Sequence, residues 1–379
     1  MKFNTKTIHG GQQHDPAYGA VMPPIYQTST YAQTTPGGHK GYEYSRTHNP
    51  TRHALENALA SIENGQYGLA FASGLAAIDA VIKLLKPGDE VVSTNDLYGG
   101  TYRLFTKIFE DFGIKFHFIG MEKTENIESH INANTKLIWA ETPTNPMMNI
   151  IDIRFLSQIA KKHNILLGVD NTFASPYLQQ PLDLGADIAM HSATKFIGGH
   201  SDLIMGALIV NHKELADKLY FIQNASGAVC GPQDSFLALR GIKTLHVRMQ
   251  RHCENGKAVA EYLSSHPKIE KVYWPGFETH PNHQIAKSQM KDFGGMVSFV
   301  TKGNNYEEAI KIVERLKVFT LAESLGGVES LAGHPASMTH ASIPKELREK
   351  SGVVDSLIRL SVGIEDQEDL IADLQQAIG

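Results

Sequence analysis

Two cysteines, Cys230 and Cys253, in 379 residues leave no basis for a disulfide framework. Their scarcity fits a reducing compartment. Basic residues are not in excess: 35 Lys and Arg face 40 Asp and Glu, a formal net charge of −5. That balance argues against nucleic acid as the main partner, because phosphate neutralisation needs clustered cations. No run approaches the ~18 consecutive apolar residues of a membrane span, and residues 1–16 have no apolar segment of the secretory-signal kind. A soluble, cytoplasmic protein with no membrane partner is expected. Low-complexity segments and fixed-period repeats are missing too. So are a Gly-x-Gly-x-x-Gly nicotinamide fingerprint and a His-Glu-x-x-His zinc motif. His334 and His340 lie close in the chain, but no ligand spacing supports a metal there.

What is present is an ordinary globular composition, 42% hydrophobic and 20% charged, in a chain long enough for two or three domains. The first fifty residues are rich in Gly, Pro, Tyr and Thr and show no clear period, which predicts an extended arm. A helix is predicted after Asn49-Pro50, where Ala54, Leu55, Ala58, Leu59 and Ile62 share one face. Short apolar runs then alternate with helical patterns. Strands are predicted at 68–72, 90–93, 115–119, 137–141, 165–170, 187–191 and 205–210, with a helix at 152–163 whose apolar face carries Phe155, Leu156, Ile159 and Ala160. Such alternation implies crossover units and a mostly parallel sheet, with the ligand beyond the C-terminal strand ends. After about residue 245 come a long helical stretch, strands at 295–300 and 357–361, and a C-terminal helix with Leu370, Ile371, Leu374 and Ile378. The expected division is an arm at 1–46, a large domain at 47–246 and a smaller α/β domain at 247–379.

Three strand ends carry polar residues of complementary kinds. Phe71-Ala72-Ser73-Gly74-Leu75 runs from a strand through a small-residue turn into a helix, whose unpaired N–H groups suit a phosphate; alone, it is equally a tight turn. The run at 165–170 ends in Asp170-Asn171-Thr172, and its carboxylate is either a cap or the partner of a cationic ring nitrogen. Met190-His191-Ser192-Ala193-Thr194-Lys195 places a lysine just beyond a buried strand. It is either a solvated surface lysine or a Schiff-base lysine of lowered pKa, flanked by hydroxyls that grip phosphate. Together these are the parts pyridoxal 5′-phosphate needs: a phosphate cradle (Ser73, Gly74, Leu75, Ser192, Thr194), a carboxylate for the pyridinium nitrogen (Asp170) and an amine for the aldehyde (Lys195).

At these residues the sequence resembles the Cys/Met-metabolism family of pyridoxal-phosphate enzymes. The markers are Tyr44-Ser45-Arg46-Thr47-His48-Asn49-Pro50-Thr51-Arg52, the Ser73-Gly74 turn, Asp96-Leu97-Tyr98-Gly99-Gly100-Thr101, Glu141-Thr142-Pro143-Thr144-Asn145-Pro146, Asp170-Asn171-Thr172, Ser192-Ala193-Thr194-Lys195 and Arg359-Leu360-Ser361-Val362-Gly363. The resemblance spans nearly the whole chain and is strongest to the family's cystathionine γ-lyases and γ-synthases. It implies the aspartate-aminotransferase-like α/β fold, fold type I, with a mostly parallel seven-stranded sheet in the large domain. It also implies a homotetramer of two tight dimers, in which Tyr44 and Arg46 bind the cofactor phosphate of the neighbouring subunit. Tyr98 is expected to stack on the cofactor ring and to share proton transfer with Lys195. Asn145 is expected near the ring's 3′-oxygen, and Arg359 on the α-carboxylate of a small sulfur amino acid. Glu323-Ser324 follows the γ-lyase and γ-synthase pattern, where β-lyases often have Tyr and methionine γ-lyases an apolar residue. Gly100 stands where methionine γ-lyases typically have Cys. The resemblance thus implies α,γ-elimination of cystathionine, or γ-replacement on an O-acyl-homoserine.

Overall fold

The computed structural model describes residues 1–124, 127–341 and 345–379. Its large sheet has seven strands: β1 (Tyr67–Phe71), β2 (Glu90–Thr94), β3 (Lys115–Ile119), β4 (Thr135–Glu141), β5 (Leu166–Asp170), β6 (Ile188–Ser192) and β7 (Gly206–Val210), in the order β1-β7-β6-β5-β4-β2-β3. Each falls within a few residues of a predicted one. β7 pairs antiparallel with both β1 and β6, and the remaining pairings are parallel. The C-terminal ends of β1, β2, β4, β5 and β6 therefore share one edge.

Helices cover both faces of this sheet, which is why an inner strand such as β7, buried throughout, reads as an unbroken apolar run. Leu69, Phe71, Met190 and Leu208 pack toward helices Gly74–Ile82 and Lys213–Ser226; Ala70, Ala189, Ala207 and Ile209 pack toward Pro50–Ile62 and Pro232–Ile242. Local chemistry sets the helix ends. Asn49 caps Pro50–Ile62 by accepting the N–H groups of Thr51 and Arg52. Asp152 caps Ile153–His163 through the Phe155 N–H at 2.9 Å, and that helix stops at Asn164 in the left-handed region (φ 54°).

The second sheet, β10-β11-β12-β9-β8, comprises β8 (Ile269–Tyr273), β9 (Met296–Thr301), β10 (Thr320–Leu321), β11 (Leu331–Gly333) and β12 (Leu357–Ser361). It packs against the long helix Leu245–Ser265 and the C-terminal helix Gln367–Ile378 through Val297, Phe299, Ile358, Leu360, Leu370 and Leu374. Only β9 and β12 are anticipated by the sequence. The N-terminal arm is not wholly extended either: Phe3–His9 is helical. No helix among the described residues is long and apolar enough to cross a membrane.

Candidate active site

A cavity of about 530 Å³ opens at the shared strand edge. At one end, β1 turns through Ala72 into helix Gly74–Ile82, and the Ser73 hydroxyl caps that helix by accepting the Ala76 N–H at 3.0 Å. Ser73, Gly74, Leu75, Ser192 and Thr194 all line the cavity here. A Cβ on Gly74 would lie 3.0 Å from Ser192 Cβ, so glycine lets the turn close on the end of β6. The Thr194 hydroxyl is already engaged, accepting the Met205 N–H at 2.9 Å and donating to the Met205 carbonyl at 3.3 Å.

Asp170, 6% exposed, ends β5 on the cavity wall. Its Oδ1 accepts the Thr172 N–H at 3.0 Å and the Thr172 hydroxyl at 2.5 Å; that hydroxyl oxygen accepts the Ser192 N–H at 2.9 Å. Thr172 thus ties the Asp170 carboxyl to the end of β6. The strand register puts Glu141 of β4 directly beside Asp170. Burial pushes both carboxyls above their usual range; Glu141 is also raised by the Asp170 charge, whereas the Thr172 bonds hold Asp170 down.

Lys195 lies three residues beyond β6, and its Nζ donates to Ser324 Oγ at 2.6 Å. Burial first, then the nearby Arg359 guanidinium, lowers its pKa to about 8, with Glu323 opposing. The loop that carries Ser324 comes very close: a Cβ on Gly326 (φ 76°) would lie 2.6 Å from the Phe196 nitrogen. Ser324 itself sits at φ 90°, a sparsely populated conformation for a residue with a side chain. Its carbonyl accepts Arg359 Nη2 at 2.9 Å, while Arg359 Nη1 donates to Asn145 Oδ1 at 2.8 Å. Arg359 is 4% exposed in β12, so two bonds fix a buried guanidinium beside the amine. Tyr98 lines the same cavity with 40% of its surface exposed, held through its backbone N–H to Glu141 Oε2 at 2.9 Å. A Cβ at position 100 would lie 2.4 Å from Tyr98 Cε1, so Gly100 makes room for the ring.

The structure brings most of the candidate residues together. Ser73, Gly74, Leu75, Tyr98, Asn145, Asp170, Ser192, Thr194, Lys195, Glu323, Ser324 and Arg359 all line one cavity. Tyr44 and Arg46 do not. Both are exposed on the arm, with the Arg46 guanidinium 5.7 Å from the Tyr44 ring centre. Sequence reasoning assigned no role to Glu141, Thr172 or Thr339, which share the wall; all three lie in or beside motifs it had singled out. His334 and His340 are engaged by protein groups, His334 with Ser337 and the Asp355 carbonyl, His340 with Thr339.

These groups define an enzyme site of the pyridoxal-phosphate class. A buried carboxyl, a capped helix start and an amine of lowered pKa share one cavity, and these are the kinds of group that the cofactor's ring nitrogen, phosphate and aldehyde need. The chain matches the family described as Cys/Met metabolism PLP-dependent enzyme over residues 4–379, and it belongs to that family. It is 54% identical over 377 residues to a cystathionine beta-lyase of Lactococcus lactis subsp. cremoris, covering 99% of this chain and 98% of the relative. To a cystathionine gamma-lyase of Bacillus subtilis it is 52% identical over 378 residues, covering 100% and 99%. The crystal structure of cystathionine gamma-lyase from Lactobacillus plantarum, complexed with L-serine, superposes with a TM-score of 0.97 at 47% identity, covering 100% of this chain and 98% of that one.

The Lys195 pKa has a measurable consequence. Only the neutral amine attacks an aldehyde, and its fraction rises with pH until about 8. Uptake of pyridoxal phosphate by the cofactor-free protein should therefore speed up about tenfold per pH unit below that point and then level off. A rate rising steadily to pH ~10, the range of an unperturbed lysine, would contradict this reading.

Proposed function

We propose that the protein is a cystathionine γ-lyase, releasing cysteine, 2-oxobutyrate and ammonia. The observation that carries this reading is that Lys195, Arg359 and Glu323 line one cavity, with the guanidinium and the carboxylate both close enough to act, in opposite senses, on the charge of the amine. Cystathionine has two amino-acid heads. The Arg359 fork suits the α-carboxylate of the inner head. Glu323 suits the ammonium of the outer one, and glutamate at this position resembles the γ-specific relatives.

When bound, pyridoxal phosphate supplies an electron sink conjugated to the substrate amine. Asp170 would present its carboxyl group to the ring-nitrogen end, and Ser73, Gly74 and Leu75 with Ser192 would hold the phosphate. Lys195 Nζ would take the proton from Cα, pass it to the conjugated cofactor and, neutral again, take one from Cβ. As the Cγ–S bond breaks, the sulfur receives a proton from the Tyr98 hydroxyl or the Lys195 ammonium. On this account Tyr98→Phe should lower kcat about 10²-fold while the variant still takes up cofactor; an unchanged kcat would remove Tyr98 from the proton path.

The cofactor's phosphate also needs a cation. Lys195 and Arg359 are the cations among the cavity-lining residues, and both have other roles. Tyr44 and Arg46, exposed on an arm that also exposes Tyr18 (96%) and Val21 (79%), are proposed to reach the phosphate of a neighbouring copy, in a tetramer of two dimers.

A second reading, cystathionine β-lyase, is favoured by the Lactococcus lactis relative. The two differ in which carbon loses sulfur, so one assay separates them. Purified protein given cystathionine alone should yield 2-oxobutyrate and cysteine. Pyruvate and homocysteine would make it a β-lyase. Net cystathionine from cysteine and an O-acylated homoserine, with little breakdown of cystathionine, would make it a γ-synthase.

A further inference from the structure

Arg52, in the first turn of helix Pro50–Ile62, is 2% exposed and does not line the cavity. Its guanidinium binds three consecutive backbone carbonyls: Nη1 donates to Ser45 at 2.8 Å, and Nη2 to Arg46 at 3.0 Å and Thr47 at 2.8 Å. A lysine ammonium cannot reproduce that fork. Behind it, Glu56 Oε1 lies 3.6 Å from Arg52 Nε and accepts the Ala70 N–H of β1 at 3.0 Å, which ties the clamp to the large sheet. The same helix start grips the rest of the arm. Asn49 Nδ2 donates to the Tyr26 carbonyl at 2.9 Å and to Ser45 Oγ at 3.1 Å. The Thr51 hydroxyl donates to the Pro24 carbonyl at 2.9 Å and accepts the Tyr26 N–H at 2.8 Å. The gripped stretch is the one that carries Tyr44 and Arg46 outward, away from their own cavity.

We propose that Arg52 is a positioning residue for the neighbouring copy's site: it fixes the 45–47 backbone so that Tyr44 and Arg46 meet the phosphate end of a second chain's cavity. This rests on the reading above that Tyr44 and Arg46 act across subunits. Arg52 itself touches neither cofactor nor substrate.

The test uses Arg52→Lys, which keeps a cation opposite Glu56 but loses the fork, with Arg46→Ala as control. Cofactor-free proteins are titrated with pyridoxal phosphate, and binding is read from the bound cofactor's absorbance. Both variants should bind about tenfold more weakly, the scale of one lost charge-assisted hydrogen bond. Arg52→Lys and Lys195→Ala chains are then co-expressed with different tags, and the hybrid is isolated through both. In the hybrid, the intact cavity of the Arg52→Lys chain receives an unaltered arm, so at limiting cofactor its affinity and activity per intact cavity should return to parental values. Weak binding that persists in the hybrid would place the effect within the chain and overturn the proposal. Weak binding by Arg46→Ala together with parental binding by Arg52→Lys would overturn it while leaving the arm's role standing. Parental binding by Arg46→Ala would remove the cross-subunit reading and the proposal with it.

Discussion

Lys195→Ala should reduce turnover of cystathionine by about 10⁴-fold, the upper end of what one positioned acid–base group contributes. The size of the effect follows from the wall of the cavity. Lys195 is the one amine among its lining residues, and Arg359 stays protonated and cannot replace it as a base. The same nitrogen is the proposed anchor of the aldehyde, so its loss would remove the anchor and the base together. The fold should survive, because Lys195 Nζ makes a single hydrogen bond, to Ser324, and projects into a cavity rather than the core. A small primary amine added to the medium should restore part of the rate, since it supplies a base without the tether. Steady-state kinetics on variant and parent decide the matter. Near-parental turnover by Lys195→Ala would remove this lysine from the chemistry.

Arg359→Lys should lower kcat/KM about 10²-fold, mostly through KM. The guanidinium is buried and its orientation is fixed before substrate arrives, by Asn145 Oδ1 at 2.8 Å and the Ser324 carbonyl at 2.9 Å. An ammonium has no planar fork to satisfy both and still meet a carboxylate side-on. One lost charge-assisted contact plus imperfect pairing of buried groups amounts to about 3 kcal/mol, which is about 10² in affinity. A substrate analogue lacking the α-carboxylate separates clamping from general damage. It should bind the parent poorly and the variant no worse. An unchanged KM for cystathionine in Arg359→Lys would mean that the carboxylate is held elsewhere.

How far these features could be read beforehand depended on physics local to each element. The strands of the large sheet are covered on both faces, so β7, Gly-Ala-Leu-Ile-Val, is buried throughout and reads as one apolar run. β8 has no such signature: Glu270 and Lys271 are exposed side by side, breaking alternation on an outer strand. β10 and β11, at two and three residues, are too short for any period to show. Asp170, Lys195 and Ser73 could be found because each follows an apolar run within a few residues. Glu141 could not be given a role, because its place beside Asp170 depends on how β4 and β5 align. The Lys195–Ser324 bond joins residues 129 positions apart, and the Arg52 fork depends on how the arm folds back over its own helix. Such contacts are created by tertiary packing and leave no mark on neighbouring residues.

The most direct test of the central claim is chemical capture at the amine. Protein loaded with pyridoxal phosphate is reduced with borohydride, digested and read by mass spectrometry. The phosphopyridoxyl group is expected on the peptide carrying Thr194-Lys195-Phe196, and no such adduct is expected in Lys195→Ala. Modification of another lysine, with the Lys195 peptide unmodified, would contradict the assignment of this cavity as the cofactor site.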